Sequence, residues 1–309
     1  MLLPAEGIAI MQETENQELK AVLAMLAGMP DKNEQSIAER RQQDDENGKF
    51  FSLPEGVTVE PVVTDSFKGE WVRAREARRD SVLLYLHGGA YVFCSPLSHR
   101  HLVAALSEAT GLAAFSLDYR LAPESPFPAA VEDSVAAVRW LLAQGIAADH
   151  LVIAGDSAGG GLTVATMLSL RDAGGPLPLA GVCISPWADL TVTAKSFTTN
   201  DEARSTRDRL SKYAKLYLNG TDAKHPLASP IFADLEGLPP LLIQVGGAEP
   251  FYDDAINLEE RAKSCDVETE LEIWEEMIHV WHYFYPMLTA GRDAIGHVGE
   301  FVKSHIAHD

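Results

Sequence analysis

A mainly parallel α/β sheet, covered by helices on both faces and carrying a helical cap, is the fold this sequence predicts. Three observations predict it. Short β-branched apolar runs alternate with amphipathic runs of helix length through most of the chain, and strands joined by crossover helices form parallel sheets buried on both sides. The run "LVIAGDSAGGGL" (Leu151 to Leu162) passes from strand pattern to helix pattern across a serine set between glycines. Finally, the stretch from Pro186 to Pro239 is too long for a plain crossover and contains its own helical segment, "RDRLSKYAKLYL", so it reads as an insertion standing on one end of the sheet.

In chain order, Leu19, Val22, Leu23 and Leu26 recur at helical spacing between Gln17 and Met29, which marks an amphipathic helix whose apolar face needs a partner. The charged stretch "DKNEQSIAERRQQDDENGKF" is helical in part, and Phe50 to Pro54 links it to the main body. Segment 1–50 is thus expected to be an N-terminal helical cap segment, and 51–309 the main domain, with an insertion at about 187–238. Val57 to Val63 and Glu70 to Glu76 read as an antiparallel pair that starts the sheet. Strands follow at Val82 to His87, Leu112 to Asp118, Leu151 to Asp156, Leu179 to Ser185, Pro240 to Gly246 and Thr269 to Trp274, eight in all with the first pair. Between them lie helical patterns, among them Ala129 to Leu142, Ala158 to Asp172 and Asp254 to Lys263. There are no internal repeats, heptads or low-complexity tracts, and the prolines from Pro123 to Pro128 mark a rigid surface loop.

Composition removes several classes of function. A balance of 25 Lys+Arg against 45 Asp+Glu leaves a formal charge of -20, which repels phosphate backbones and anionic lipid surfaces. Neither nucleic acid nor a membrane is expected as a partner. Cys94, Cys183 and Cys265 lack the paired spacing of disulfide frameworks or zinc sites, which fits a reducing cytoplasm and plain buried thiols. The stretch "MLLPAEGIAIMQETENQELK" has no basic n-region and is interrupted by Pro4, Glu6 and Gly7, so it does not read as a signal peptide. No window approaches the roughly 20 uninterrupted apolar residues of a membrane span.

Gly155-Asp156-Ser157-Ala158-Gly159 matches G-x-S-x-G in the strand–turn–helix context that the pattern requires. The pattern alone is weak, since at about 7% Gly and Ser it arises by chance in roughly one chain in ten of this length. Its position gives it force. A serine in so sharp a turn takes up a strained conformation, and the helix passes so near the strand that a Cβ at either glycine would clash. Ser157 is then lifted above the carboxyl end of the sheet, where open α/β sheets bind ligands. The Ala158 amide, in the first turn of the helix, faces any negative charge forming beside it.

A serine attacking an acyl carbon needs further amide donors from the loop after an earlier strand. "HGGAY" (His87 to Tyr91) supplies such a loop. The oxyanion hole is therefore assigned to Gly88, Gly89, Ala90 and Ala158, with Gly89 and Ala90 as loop donors and Gly88 shaping the turn. The acid and base should follow in the order Ser, acid, His. His279, just after the last strand, is the candidate base, while nearby His282 should turn away on the next helix. His225 falls in the insertion, within reach of substrate. His99, His101, His150, His297, His305 and His308 read as solvated surface residues. Glu249 comes first after the preceding strand and is the candidate acid, with Asp253 in reserve. Asp253 and Asp254 read equally well as first-turn residues favoured by the helix dipole.

These motifs, together with "DYRLAPESPFPAAVED" (Asp118 to Asp133) and "SPWADL" (Ser185 to Leu190), resemble the hormone-sensitive-lipase-like esterases, the bacterial family IV branch of the α/β-hydrolases. The resemblance runs from about Val57 to Phe301. It implies an α/β-hydrolase fold with Ser157 as nucleophile, His279 as base and oxyanion amides on Gly89 and Ala90. It also implies that Tyr119, Arg120 and Glu124 brace the oxyanion loop. Two departures stand out: the usual third glycine of the loop is Ala90, and the usual D-P-L acid motif reads Glu249-Pro250-Phe251. The function so implied is hydrolysis of short to medium acyl esters through an acyl-enzyme, with a small-molecule ester as partner and no metal or cofactor required. Family members often pair through the last strand and helix, which leaves Thr269 to Trp274 as either a homodimer edge or a simply protected one. The alternatives are a ligand-binding protein that kept the pocket without turnover, and an amide or lactone hydrolase using the same triad.

Overall fold

In the computed structural model of the protein, the described residues are 17–29, 35–199 and 206–306. The amino-terminal stretch weighed as a signal peptide, up to residue 16, and His308 lie outside them. Eight strands form one sheet, β1 (Thr58–Val63), β2 (Lys68–Arg73), β3 (Arg78–Leu86), β4 (Leu112–Asp118), β5 (Leu151–Asp156), β6 (Ala180–Ile184), β7 (Leu241–Gly246) and β8 (Thr269–Trp274). Their order is β1-β2-β4-β3-β5-β6-β7-β8. The β1·β2 and β2·β4 pairs are antiparallel and the others parallel, as the alternating pattern predicts. Boundaries moved by more than one residue at two strands. β2 begins at Lys68 rather than Glu70, and β3 begins at Arg78 rather than Val82. The first three residues of β3 are exposed, so their charged side chains disguise a strand that is already paired.

Alternate residues of the central strands feed two cores. Val82, Leu84 and Leu86 pack on the face covered by α4 (Ala129–Ala143), α5 (Ala158–Asp172) and α8 (Tyr252–Lys263). Leu83 and Tyr85 pack on the face covered by α3 (Pro96–Thr110) and α9 (Thr289–His305). α3 starts at Ser95, whose hydroxyl accepts from the amides of Leu97 and Ser98, and ends at Gly111 with φ 74. The amphipathic helix read from the sequence is α1 (17–27). Its Leu19 and Val22 are buried with Met277, Ile278 and Trp281 around the loop after β8. The charged stretch that follows folds as α2 (Ile37–Asn47), closed at its start by a capping box between Ser36 and Glu39. The insertion contributes α6 (Ser196–Thr199) and α7 (Thr206–Leu218). Among the described residues no helix is long and apolar enough to cross a membrane. Cys183 is buried, while Cys94 and Cys265 are half-buried.

Register decides which loops meet. Leu86 pairs with Gly155, so the loop after β3 and the turn after β5 leave the sheet side by side. Gly246 pairs with Trp274, which does the same for the loops carrying Glu249 and His279.

His99 and His101 correct the sequence reading, which placed them on the surface. Both are buried, because His99 faces Asp156 and Tyr85 on the sheet and His101 is covered by Phe51 and Tyr283. Burial pushes His101 down to about 4, and it pushes His87 and His282 down to about 3. In the unfolded chain all three titrate near ~6.5, so below that pH the unfolded state binds protons that the folded state refuses. Stability is therefore expected to fall as pH drops from about 6.5 toward 4, by about 1.4 kcal/mol per pH unit for each proton of net difference. Asp254 works in the opposite sense, since burial raises its carboxyl well above the ordinary range and the folded state holds its proton more tightly than the unfolded one. Urea midpoints at about pH 7, 6 and 5 measure the slope, and a flat profile would contradict neutral buried histidines.

Candidate active site

Ser157 sits at the turn from β5 into α5 with φ 53 and ψ -119, a left-handed conformation that a non-glycine residue adopts only when its surroundings impose it. The imposing contacts involve the two glycines. A Cβ at Gly159 would stand 1.8 Å from the Leu86 carbonyl oxygen, and one at Gly155 would stand 2.4 Å from the Gly159 carbonyl oxygen. The Ser157 amide donates to the Ile184 carbonyl oxygen at 2.8 Å, and its carbonyl accepts from Trp187 N at 2.8 Å. The backbone is thus held on both sides while the side chain opens onto a cavity.

That cavity measures about 430 Å³ and is lined by Ser157, His279, Gly89, Ala90 and Phe251 near the turn. Residues from α1, α2 and α7, including Met25, Asp44 and Tyr213, line it farther out. Glu249 is fully buried. One of its carboxylate oxygens accepts the Gly246 amide at 2.7 Å, and the other is hydrogen-bonded to His279 Nδ1. His279 itself is 24% exposed, so its ring bridges a buried acid and an open cavity. A short turn after β7 and a short loop after β8 suffice for this because the two strands end level.

The remaining sequence candidates separate cleanly. Asp253, the reserve acid, accepts the Ser196 amide at 2.9 Å and so serves the insertion. Asp254 accepts the amides of Ala188 and Asp189 at 2.9 Å each. His282 is fully buried with Nε2 2.8 Å from Gln244 Oε1, turned away as the helical reading predicts. The His225 ring lies against Phe127 at 4.9 Å and does not line the cavity.

In the oxyanion loop, Gly89 has φ 107 and Ala90 φ 55, and neither amide has a hydrogen-bond partner among the described residues. Ala158 opens α5, where the first amides of a helix have no internal acceptor. Gly88 is a correction. Its N–H donates to Asp156 Oδ1 at 2.9 Å, and a donor already held by a carboxylate is not available to a substrate oxygen. Glycine is required there by that approach, since a Cβ would stand 2.2 Å from Asp156 Oδ2. Of the braces implied by the resemblance, Tyr119 bonds to the loop directly, whereas the bonds of Arg120 and Glu124 go to neighbouring segments. Tyr119 stacks on His87 at 4.3 Å and donates its hydroxyl proton to the His87 carbonyl at 2.8 Å. Arg120 is held by Asp133, and Glu124 receives both Arg41 amines at 2.9 Å.

Asp156, His99 and Phe251 were not assigned to the site from the sequence. Asp156 accepts from Tyr85 Oη at 2.7 Å as well as from Gly88, with His99 Nε2 at 3.3 Å. Burial works against its charge, but the charge and hydrogen bond of His99, with the Tyr85 hydroxyl, outweigh that and hold the carboxyl down at about 2. Burial likewise works against a charged His99, and Asp156 reverses the balance and raises it. A signal for His99 existed, since it lies on the same helical face as Leu102, Val103 and Leu106, all buried. Phe251, whose ring lies 4.6 Å from that of His279, left no such signal.

Comparison with known proteins agrees with this geometry. A family model described as an alpha/beta hydrolase fold matches residues 83–283. An acetyl-hydrolase of Streptomyces hygroscopicus is 54% identical over 238 residues, covering 76% of this chain and 79% of that protein. An esterase of Acinetobacter venetianus is 31% identical over 83% of this chain and 85% of its own length. Among solved structures, an esterase from the bacterial hormone-sensitive lipase family superposes with a TM-score of 0.90 at 45% identity, covering 94% of this chain and 99% of that one. An esterase/lipase from an uncultured bacterium covers 99% of this chain and 100% of its own at 46% identity, with a TM-score of 0.86. With that sheet order, that serine turn and these relatives, the chain belongs to the α/β-hydrolase fold family, in its hormone-sensitive-lipase-like branch of carboxylesterases.

Proposed function

We propose that this chain hydrolyses short to medium acyl esters with Ser157 as nucleophile, His279 as general base and Glu249 as the acid that orients it. The observation that carries the reading is the buried Glu249 bonded to His279 Nδ1, with the ring opening onto the cavity that also exposes the strained Ser157. His279 takes the Ser157 hydroxyl proton as Oγ attacks the ester carbon, and Glu249 stabilises the imidazolium. The amides of Gly89, Ala90 and Ala158 receive the developing oxyanion. As the tetrahedral centre collapses, His279 protonates the departing alcohol. A water molecule then repeats the sequence on the acyl-enzyme and frees the acid.

The cavity, about 430 Å³, is at the small end of ligand pockets, which run from roughly 300 to 1,000 Å³. Its outer walls come from the N-terminal helices and the insertion, which supports reading both as the substrate cap. The exposed Ile273 on edge strand β8 favours a homodimer through that edge. A cytoplasmic setting fits three thiols with no disulfide among the described residues.

A serine-directed phosphonate tests the assignment. It should add its mass to the peptide containing Ser157, and an acyl series should show kcat/KM highest for short to medium chains and falling for long ones. A receptor on this scaffold would not label, and absence of labelling would sink the enzyme reading.

A further inference from the structure

The insertion touches the chain at the segment that follows the acid. Ser196, the first residue of α6, donates its amide to Asp253 Oδ2 at 2.9 Å and its hydroxyl to the Pro250 carbonyl at 2.6 Å. Its neighbour Phe197, 1% exposed, sets its ring edge-on to Phe251 at 5.4 Å and 88°. Trp187 closes another side of Phe251 at 6.0 Å. Phe251, 3% exposed, is packed against both rings, and its own ring lies 4.6 Å from the His279 imidazole at a tilt of 35°.

The imidazole needs such a support. The bond to Glu249 acts in the plane of the ring at its Nδ1 edge, whereas χ2 of histidine is a broad, roughly two-fold torsion that swings the ring out of that plane. A flat side chain against its face removes that freedom. The offset, tilted arrangement is one that aromatic pairs favour. Resting on the triad assignment above, we infer that the insertion reaches the reaction through α6: Ser196 and Phe197 hold Phe251 against His279, and Phe251 is a positioning residue for the base. This gives the segment after Glu249 a task beyond presenting the acid, and it explains why Asp253 is engaged with Ser196.

Steady-state kinetics on a short aryl ester test the inference. Because a displacement of about 1 Å costs about 10²-fold in rate, Phe251→Leu should lower kcat roughly 10- to 100-fold, and Phe251→Tyr, which keeps the flat ring, should recover most of that loss. Phe197→Leu, at a residue that does not line the cavity, should lower kcat with KM unchanged. If both residues act through the imidazole, Phe251→Leu should cost far less in a Glu249→Gln background than in the wild type, since contacting residues couple. Wild-type kcat in Phe197→Leu, an effect of Phe251→Leu confined to KM, or multiplicative losses in the double variant would overturn the inference. Should Phe251→Leu fail to fold, Phe197→Leu decides it. The triad assignment fails separately, by wild-type turnover in Ser157→Ala or His279→Gln.

Discussion

Ser157→Ala should abolish hydrolysis of a short-chain aryl ester, a loss of about 10⁶-fold in kcat, the scale seen when a serine hydrolase loses its nucleophile. The structure gives this variant no second reason to fail. The Ser157 side chain makes no capping hydrogen bond, and alanine carries the same Cβ at the same strained φ. Its fold and thermal midpoint should match the parent. Purified variant, assayed beside the parent and incubated with the phosphonate, should show neither turnover nor added mass. Turnover that survives would place the chemistry on another side chain.

Glu249→Gln carries the second largest expected effect, about 10⁴-fold in kcat by the precedent of the triad acid in serine proteases. The two carboxylate oxygens are already divided between Gly246 N and His279 Nδ1. A glutamine that keeps its oxygen on the Gly246 amide must point its NH₂ at Nδ1. That stabilises the tautomer with its proton on Nε2, the wrong edge for accepting one from Ser157. Asp253→Asn should change kcat only a few-fold, because an asparagine oxygen can still accept the Ser196 amide. If Asp253→Asn proved the more damaging of the two, the acid would be misassigned.

Much of this was legible in the residues. The strands and their mainly parallel order follow from the alternation of apolar runs with helical ones, and the serine turn from two glycines in a strand-to-helix junction. His279 and Glu249 were legible as candidates from their place just beyond the last two strands, with Asp253 left in reserve. Less legible was whatever depends on what a segment packs against. The pattern of α3 shows an apolar face but not that Asp156 waits beneath His99 or that Tyr283 covers His101, so both look exposed in the sequence and are buried in the fold. Gly88 reads as one more loop glycine until Asp156, far along the chain, takes its amide.

By itself the sequence determined the architecture and, through its ordered motifs, the family, because strand and helix periods and the steric need of the serine turn are carried within short stretches. It also pointed to Ser157, His279 and Glu249 as the proposed triad. Only the tertiary structure decided which loop amides remain unpaired, that Asp253 serves the insertion instead of the base, and that Phe251 backs the imidazole. Those outcomes depend on contacts between residues brought together by strand register and by the packing of the insertion. Such contacts leave no period in the chain, so they appear only once the sheet is assembled.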